Sequence, residues 1–276
     1  MKNLLSKIPR RTYIAILAAA ILIAVICVVC ASCFPGGSGD HVTGSGLLLD
    51  ASYWKQNSSG YYTYEKDGYA SSVGMDISEW VGDVDFKQVK ESGIDFVIVR
   101  IGYRGYDLGG LVPDNNFRNY LKGAFRAGLK IGAYFVSQAV SKEEAVEEAD
   151  YVMEQVKGYS MEMPLYIDLE AVPEAARTDH LTVEERSAIA AAFCSRVEEM
   201  GYRGGVYANN TWFHDYLNFS KIRRYDIWLA DYSESPDPTI PINMWQYTFE
   251  GTVPGAEGSV DLNARVELDI PTSSES

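Results

Sequence analysis

Two acidic residues lie two positions apart near the middle of the chain, at the end of an apolar run. Asp168 and Glu170 close the segment LYIDLE, which has the pattern of a buried strand. Residues i and i+2 of a strand point to one face, so both carboxyl groups are expected on the same side, with Tyr166 before them. Two neighbouring carboxylates repel, and the less solvated one keeps its proton to higher pH. Such a pair suits acid-assisted chemistry, including cleavage of a glycosidic bond.

Further acids follow other strand-like runs. Asp76 lies in GMDIS near the start of the patterned region, and Asp261 lies in VDLN near its end. Asp231 in WLADYS is a weaker candidate, because a turn or a position at the barrel rim explains it better, and Asp269 lies near Asp261 as a competitor for its role. Since the chemistry of parallel barrels is located at the carboxyl ends of their strands, we expect Asp76, Asp168, Glu170 and Asp261 to converge there.

The elements that must position these acids alternate along the chain. Strands are predicted at residues 72–77, 96–101, 131–136, 165–169, 204–208, 227–230 and 244–247. Helices are predicted at 86–92, 115–127, 142–157 and 183–200.

Local signals support these helices. Ser141 with Glu144, and Thr182 with Glu185, have capping-box spacing. Glycine follows each of the four helices, where a left-handed residue is favoured. Repeated βα units predict a parallel sheet, and three final strands with short connections favour a closed barrel whose last helices are reduced. Neither usual glycine-rich phosphate loop follows the first strand, which argues against a nucleotide-binding fold.

The first 73 residues have a different character. Residues 1–12 are basic, and residues 13–34 are apolar and uncharged over about the 20 residues that a membrane-spanning helix needs. We predict a single-pass anchor with a cytoplasmic N-terminus, the alternative being a lipoprotein acylated at Cys33. Residues 35–73 read as an extracytoplasmic linker with a small β-hairpin, residues 74–272 as the barrel, and residues 273–276 as a tail.

Composition excludes several classes of function. The formal net charge is −14, which disfavours nucleic acid and anionic lipid surfaces as partners. Cys194 stands alone in an apolar helical stretch and is expected to be a core residue. His41, His180 and His214 have no paired spacing, so no metal or other cofactor is expected. The acids of the third predicted helix are interpreted as a solvated face; they are Glu143, Glu144, Glu147 and Glu148.

The motifs carry a family resemblance. GMDISEWVGDVDF, FVIVRIGYRGY, GAYF, LYIDLE, GGVYANNTWF, IWLADYS and the closing MWQYT and VPGAEGSVDLN resemble, in this order, the glycoside hydrolase family 25 muramidases, the Chalaropsis-type lysozymes. The resemblance covers about residues 74–268. It implies a TIM-like (β/α)5(β)3 barrel and cleavage of the β-1,4 bond between N-acetylmuramic acid and N-acetylglucosamine in peptidoglycan.

Roles carry over by position from this resemblance. Glu170 would be the general acid, and Asp168 would stabilise charge at the anomeric centre or orient the 2-acetamido group. Asp76 and Asp261 would complete the acidic cluster and tune Glu170. A substrate-assisted mechanism is expected if Asp168 lies too far away for direct attack.

A groove beside the acids would bind the glycan. Aromatic rings can cover sugar faces, and polar groups can contact sugar hydroxyls. The candidates are Tyr134, Tyr166, Tyr207, Trp245, Tyr247, Gln246 and Arg100. The alternative role of the aromatic residues is packing within the barrel. The alternative role of Arg100 is a structural ion pair.

Two other functions stay open. A chitinase-like barrel carries a longer acidic run, whereas MEMP precedes LYIDLE here. A wall-binding scaffold that has lost turnover is argued against by the complete set of acids.

Overall fold

The alternating apolar runs form a barrel in the computed structural model, which describes residues 46–172 and 176–269. The strands are β1 (Trp54–Gln56), β2 (Tyr62–Tyr64), β3 (Tyr69–Ile77), β4 (Phe96–Arg104), β5 (Leu111–Pro113), β6 (Lys130–Val136), β7 (Leu165–Asp168), β8 (Gly204–Asn209), β9 (Asp226–Ala230), β10 (Met244–Gly251) and β11 (Val260–Leu268). The helices are α1 (Phe86–Glu91), α2 (Phe117–Ala127), α3 (Lys142–Val156), α4 (Val183–Glu199) and α5 (Phe219–Ile222).

Eight strands close the barrel in the order β3–β11–β10–β9–β8–β7–β6–β4, and β4 pairs back onto β3. β11 is antiparallel to both its neighbours, and the other neighbouring pairs are parallel. Helices follow the first five barrel strands, while β9, β10 and β11 follow one another without a helix. The predicted eight-stranded α/β barrel is confirmed.

The capping signals are fulfilled to different extents. At Thr182 the box is complete, since its side chain accepts from the Glu185 N–H and the Glu185 carboxylate accepts from the Thr182 N–H. At Ser141 only half forms. The Glu144 carboxylate instead accepts from the N–H of Val140, one residue before the cap, and from the guanidinium of Arg177, which tertiary folding brings to it.

Thr182→Ala is expected to lower the free energy of unfolding by about 1 kcal/mol, because the first turn of α4 loses its cap. Urea unfolding at neutral pH measures the change. Thr211→Ala is the matched control, since Thr211 is exposed and makes no side-chain cap bond among the described residues. Equal losses in both variants would contradict the prediction.

The barrel encloses its own small core. Six buried side chains fill the interior: Phe96, Ile98, Met163, Tyr166, Trp228 and Met244. The larger core lies between the barrel and the helices, and it includes the fully buried Cys194, as predicted for that residue. Gly205 makes room inside the barrel, because a Cβ there would come within 2.4 Å of the Tyr166 ring.

Strands β1 and β2 form an antiparallel hairpin against the outside of the barrel. Trp54 contacts Trp245 edge-on with ring centroids 5.0 Å apart, and Tyr62 lies 5.0 Å from both Trp245 and Tyr247. Aromatic side chains of this size contribute large buried areas. The hairpin therefore braces the outer face of β10.

The acidic face of α3 differs from the prediction. Glu143 and Glu147 are exposed, Glu144 is half-buried, and Glu148 has no exposed surface. The interpretation of Glu148 as solvated is wrong, because Arg104 extends from β4 to meet it at 2.7 Å. Helical periodicity identifies charged positions, but it does not reveal a cation supplied by a distant strand.

No helix within residues 46–172 and 176–269 is long and apolar enough to cross a membrane. The predicted anchor at residues 13–34, and Cys33 with it, lie outside the described residues, as does the predicted tail.

Candidate active site

Four carboxyl groups lie at the carboxyl-terminal mouth of the barrel. Asp76 is next to the last residue of β3, Asp168 ends β7, and Glu170 follows two residues later. Asp261 enters from the start of the antiparallel strand β11 and is the register partner of Asp76. The charge of Asp261 acts on each of the other three, so the predicted convergence is present in the structure.

Asp76 is buried, with 3% of its surface exposed. Its Oδ2 atom accepts from Gln246 Nε2 at 2.9 Å and from Asn263 Nδ2 at 2.8 Å. Burial and then the charge of Asp261 raise the pKa of Asp76 well above its ordinary value, although the two amides oppose that shift.

Asp76 and Asp261 are partners in the register between β3 and β11. Burial raises the pKa of Asp261, and burial together with the charge of Asp261 raises the pKa of Asp76. The two carboxyl groups therefore retain a proton as a pair to higher pH than isolated carboxyl groups do.

Asp168 and Glu170 form the second pair. Asp168 is buried, and its Oδ1 atom has no hydrogen-bond partner within the described part of the chain. Burial, then the charges of Glu170 and Asp76, raise the pKa of Asp168 well above its usual value. Glu170 lies at the exposed rim, where partial desolvation and then Asp261 raise its pKa and Arg100 opposes the shift. The pair therefore retains a proton more readily than isolated carboxyl groups do.

Asp168→Asn is expected to stabilise the fold at about pH 8, because it removes a carboxyl group whose charge is unfavourable in its buried position. The folded wild type binds a proton at the Asp168 and Glu170 pair that the unfolded chain releases above about pH 4, so wild-type stability falls as pH rises toward the raised pKa of the pair. Asparagine removes that loss. Urea unfolding at about pH 8 and pH 4.5 should show a gain that shrinks in acid.

Asp67→Asn is the control for that measurement, because Asp67 is an exposed acid on the turn after β2. A stability gain that is equal at both pH values, or one that Asp67→Asn reproduces, would count against an effect of buried charge at Asp168.

The floor of the mouth is aromatic. Trp228 packs edge-on against Tyr207 at 4.6 Å and against Tyr134 at 5.9 Å between centroids, and it donates from Nε1 to Asn263 Oδ1 at 2.8 Å. Burial and the nearby carboxylates raise the pKa values of both tyrosines well above the ordinary value. Sequence reasoning missed Trp228 and Asn263, although strand alternation from Asp261 to Asn263 could have indicated the latter.

Gln246 connects the aromatic residues with the acids. Its Oε1 atom accepts from Tyr207 at 3.0 Å and from Tyr232 at 2.8 Å, while its Nε2 atom donates to Asp76. The two hydroxyl donors fix which end of the amide faces the carboxyl group. Tyr232 was not predicted. It is half exposed at the rim, and desolvation followed by the charges of Asp261 and Asp76 raises its pKa to about 12.

Three of the predicted sugar contacts lie elsewhere. Tyr166 is fully buried, and its hydroxyl donates to Asp226 at 2.7 Å, at the opposite end of the barrel. Trp245 and Tyr247 face outward onto the hairpin, because their neighbour Gln246 faces inward and strand residues alternate. We assign all three to packing.

Arg100 and Asp231 have structural partners. Arg100 binds Asp114 at 2.9 Å and Glu79 at 3.1 Å, so its direct partners are not the four mouth acids. Its charge still lowers the pKa values of Asp168 and Glu170. Asp231 accepts from the N–H groups of Ser233 and Asp237 and is a turn residue.

No group of three or more histidine, cysteine, aspartate or glutamate side chains in the described ranges is arranged to hold a metal ion.

Comparison with known proteins finds a matching family and related chains. The family model described as glycosyl hydrolases family 25 matches residues 75–256. The autolytic lysozyme of Clostridium acetobutylicum is 30% identical over 192 residues, which are 69% of this chain and 54% of that protein. Lysozyme M1 of Streptomyces globisporus is 25% identical over 201 residues, covering 69% of this chain and 66% of that protein. The chain therefore spans about half to two thirds of the curated relatives it matches.

Solved structures show the same fold. The modular autolysin LytC from Streptococcus pneumoniae, in complex with a synthetic peptidoglycan ligand, superposes with a TM-score of 0.64 at 23% identity. The match covers 76% of this chain and 51% of that protein.

Proposed function

This chain belongs to glycosyl hydrolase family 25, and from that premise we propose that it is a muramidase that cleaves the β-1,4 bond between N-acetylmuramic acid and N-acetylglucosamine in peptidoglycan. The two curated relatives are named lysozymes, and the pneumococcal autolysin was solved with a peptidoglycan ligand. These names describe the relatives, and the site chemistry supports the same activity here.

The observation that carries the proposal is the set of four carboxyl groups, all with raised pKa values, at the mouth of a barrel of this family. A glycosidase of this kind needs one carboxyl group that is protonated when substrate binds and a negative charge near the anomeric carbon. The paired arrangement provides both, since each pair retains a proton while leaving one carboxylate free to ionise.

Glu170 is the general acid in this proposal. It lies at the rim, where a glycosidic oxygen can reach it, and the charge of Asp261 helps it keep its proton. As the bond breaks, the proton moves from Glu170 to the leaving oxygen, and positive charge develops at the anomeric carbon.

Asp168, which is buried next to Glu170, stabilises that positive charge in this proposal. Its Oδ1 atom is buried and has no hydrogen-bond partner among the described residues, and in this proposal it faces either the anomeric centre or the N–H of the 2-acetamido group when substrate is bound. In the second case the acetamido oxygen attacks the anomeric carbon, and Asp168 orients the group. Asp76 and Asp261 maintain the acidity of the mouth, while Tyr134, Tyr207, Tyr232 and Gln246 line it.

The bond that is cut identifies the reaction. Purified peptidoglycan is incubated with the full chain, the new reducing ends are reduced with borohydride, and the fragments are identified by mass spectrometry. A muramidase leaves reduced N-acetylmuramic acid at the termini. Reduced N-acetylglucosamine, or turnover of chitin without turnover of peptidoglycan, would overturn the proposal in favour of another glycosidase. Binding without new reducing ends would overturn it in favour of a wall-binding scaffold.

We further propose that residues 13–34 anchor the chain in the membrane, with the barrel on the outer side. The support is the uncharged apolar run behind a basic segment. The full chain should remain with membranes after an alkaline wash, and protease added outside the cell should reach the barrel. Loss of membrane association in Cys33→Ala would identify acylation in place of a spanning helix.

A further inference from the structure

Glu148 is an acid buried on the helix that packs behind the barrel mouth. It has no exposed surface, and each of its oxygens is occupied. Oε1 accepts from Arg104 Nε at 2.7 Å, and Oε2 accepts from Ser137 Oγ at 2.7 Å. Burial raises the pKa of Glu148 to about 7, while Ser137 and Arg104 oppose the shift. Burying a carboxyl group costs free energy unless its partners compensate for the lost water, so the partners of Glu148 indicate what its position is for.

Ser137 connects this acid to the mouth. It follows directly after β6, and its N–H donates to the carbonyl of Asp168 at 2.9 Å, which extends the ladder between β6 and β7 by one bond. Its Oγ atom also accepts from the N–H of Ala139 at 3.2 Å. The side chain of Ser137 is therefore fixed by Glu148 and Ala139, while its main-chain N–H binds the end of β7 at Asp168.

Asp168 depends on this main-chain support. The Oδ1 atom of its carboxyl group has no partner within residues 46–172 and 176–269. Its carbonyl is held by Ser137, and the next N–H, from Leu169, donates to the carbonyl of Tyr207 at 3.0 Å. The direction of the carboxyl group is therefore set by where the ends of β6 and β8 lie.

We infer that Glu148 is a positioning residue for Asp168 and acts through Ser137. The inference rests on the proposed function, because it assigns Asp168 a role in turnover. Arg104 makes the buried carboxylate tolerable, and the carboxylate in turn orients the Ser137 hydroxyl. A displacement of about 1 Å at a reacting group can cost on the order of 100-fold in rate, so a small shift of this strand end is enough to matter.

The test compares Ser137→Ala and Glu148→Gln with Glu147→Gln in the full chain. Glu147 is the matched control, because it binds Arg104 at 2.7 Å but its carboxylate does not contact Ser137 among the described contacts. We expect about a tenfold loss of kcat in the first two variants, KM within about twofold of wild type, and an unchanged kcat in the control. Ser137→Thr, which restores a hydroxyl, should recover most of the loss.

The double variant Ser137→Ala/Glu148→Gln separates a chain of contacts from two independent effects. Its kcat should be no lower than that of either single variant, because both changes break the same link. Multiplied losses would overturn the inference. A lowered Tm with wild-type kcat in Ser137→Ala would also overturn the inference. If Glu148→Gln fails to fold, Ser137→Ala still tests the inference, because it keeps the ion pair between Arg104 and Glu148.

The failure of this inference is distinguishable from the failure of the proposed function. Wild-type cleavage of peptidoglycan with equal kcat in all the variants overturns the positioning role alone. A wild-type chain that produces no new muramic acid termini overturns both.

Discussion

Glu170→Gln is expected to lower kcat on peptidoglycan by about 10²–10⁴-fold, the range that general acid catalysis contributes. Glutamine keeps the size of the side chain but has no proton to give to the leaving oxygen. Glu170 is exposed at the rim, so the fold should survive the change. Release of reducing ends measures the loss, and the thermal unfolding midpoint of the same preparation shows that the barrel is intact.

Glu257→Gln is the control for this result, because Glu257 is an exposed glutamate on the loop between β10 and β11, at the same end of the barrel. Its activity should match that of the wild type. The pH profile adds a second check. Since the general acid works only when protonated, wild-type activity should fall as pH rises through the raised pKa of the Asp168 and Glu170 pair. Near-normal turnover by Glu170→Gln would remove it from the mechanism.

Arg104→Met is expected to lower the free energy of unfolding by about 3–5 kcal/mol. The guanidinium is buried, with 3% of its surface exposed, and it binds Glu148, Glu147 and the carbonyls of Gly109 and Glu144. Methionine fills similar space but leaves the Glu148 carboxylate buried without its cation. Chemical denaturation at neutral pH measures the effect.

The double variant Arg104→Met/Glu148→Met should recover much of that loss, since an apolar pair of similar volume often replaces a buried ion pair without cost. No recovery would show that the carbonyl contacts of Arg104, and not its charge, dominate. Activity need not recover with stability, because the double variant also breaks the link from Glu148 to Ser137.

The pH dependence of this destabilisation has a definite sign. Burial raises the pKa of Glu148 to about 7 in the wild type, so its contribution to stability falls as pH rises from about 4.5 to about 7. Loss of Arg104 removes a charge that lowers this pKa, so in the variant the fall continues to higher pH. The stability gap between wild type and Arg104→Met should therefore be larger at about pH 8 than at about pH 6.

The sequence alone determined the architecture and the four carboxyl groups. The bounds of the seven strands and four helices that were given ranges agree within a few residues, because apolar periodicity and helix-capping residues are local properties of the chain; β11 had no predicted range. Asp76, Asp168, Glu170 and Asp261 could be placed together for a topological reason: in a barrel, the carboxyl ends of parallel strands meet at one mouth. Asp261, on the antiparallel strand β11, reaches it from that strand's start.

Tertiary structure decided which neighbours these groups have. Strand alternation predicts that Trp245 and Gln246 point to opposite sides, but only barrel closure shows that Gln246 faces inward to Asp76 and Trp245 outward to the hairpin. Likewise Glu148 belongs to an acidic helix face in the sequence, and folding brings Arg104 to it from 44 residues away. Local sequence patterns predict the face of a helix or strand on which a side chain lies. Its partners come from distant segments that meet only when the loops between them close, and local patterns do not predict those contacts.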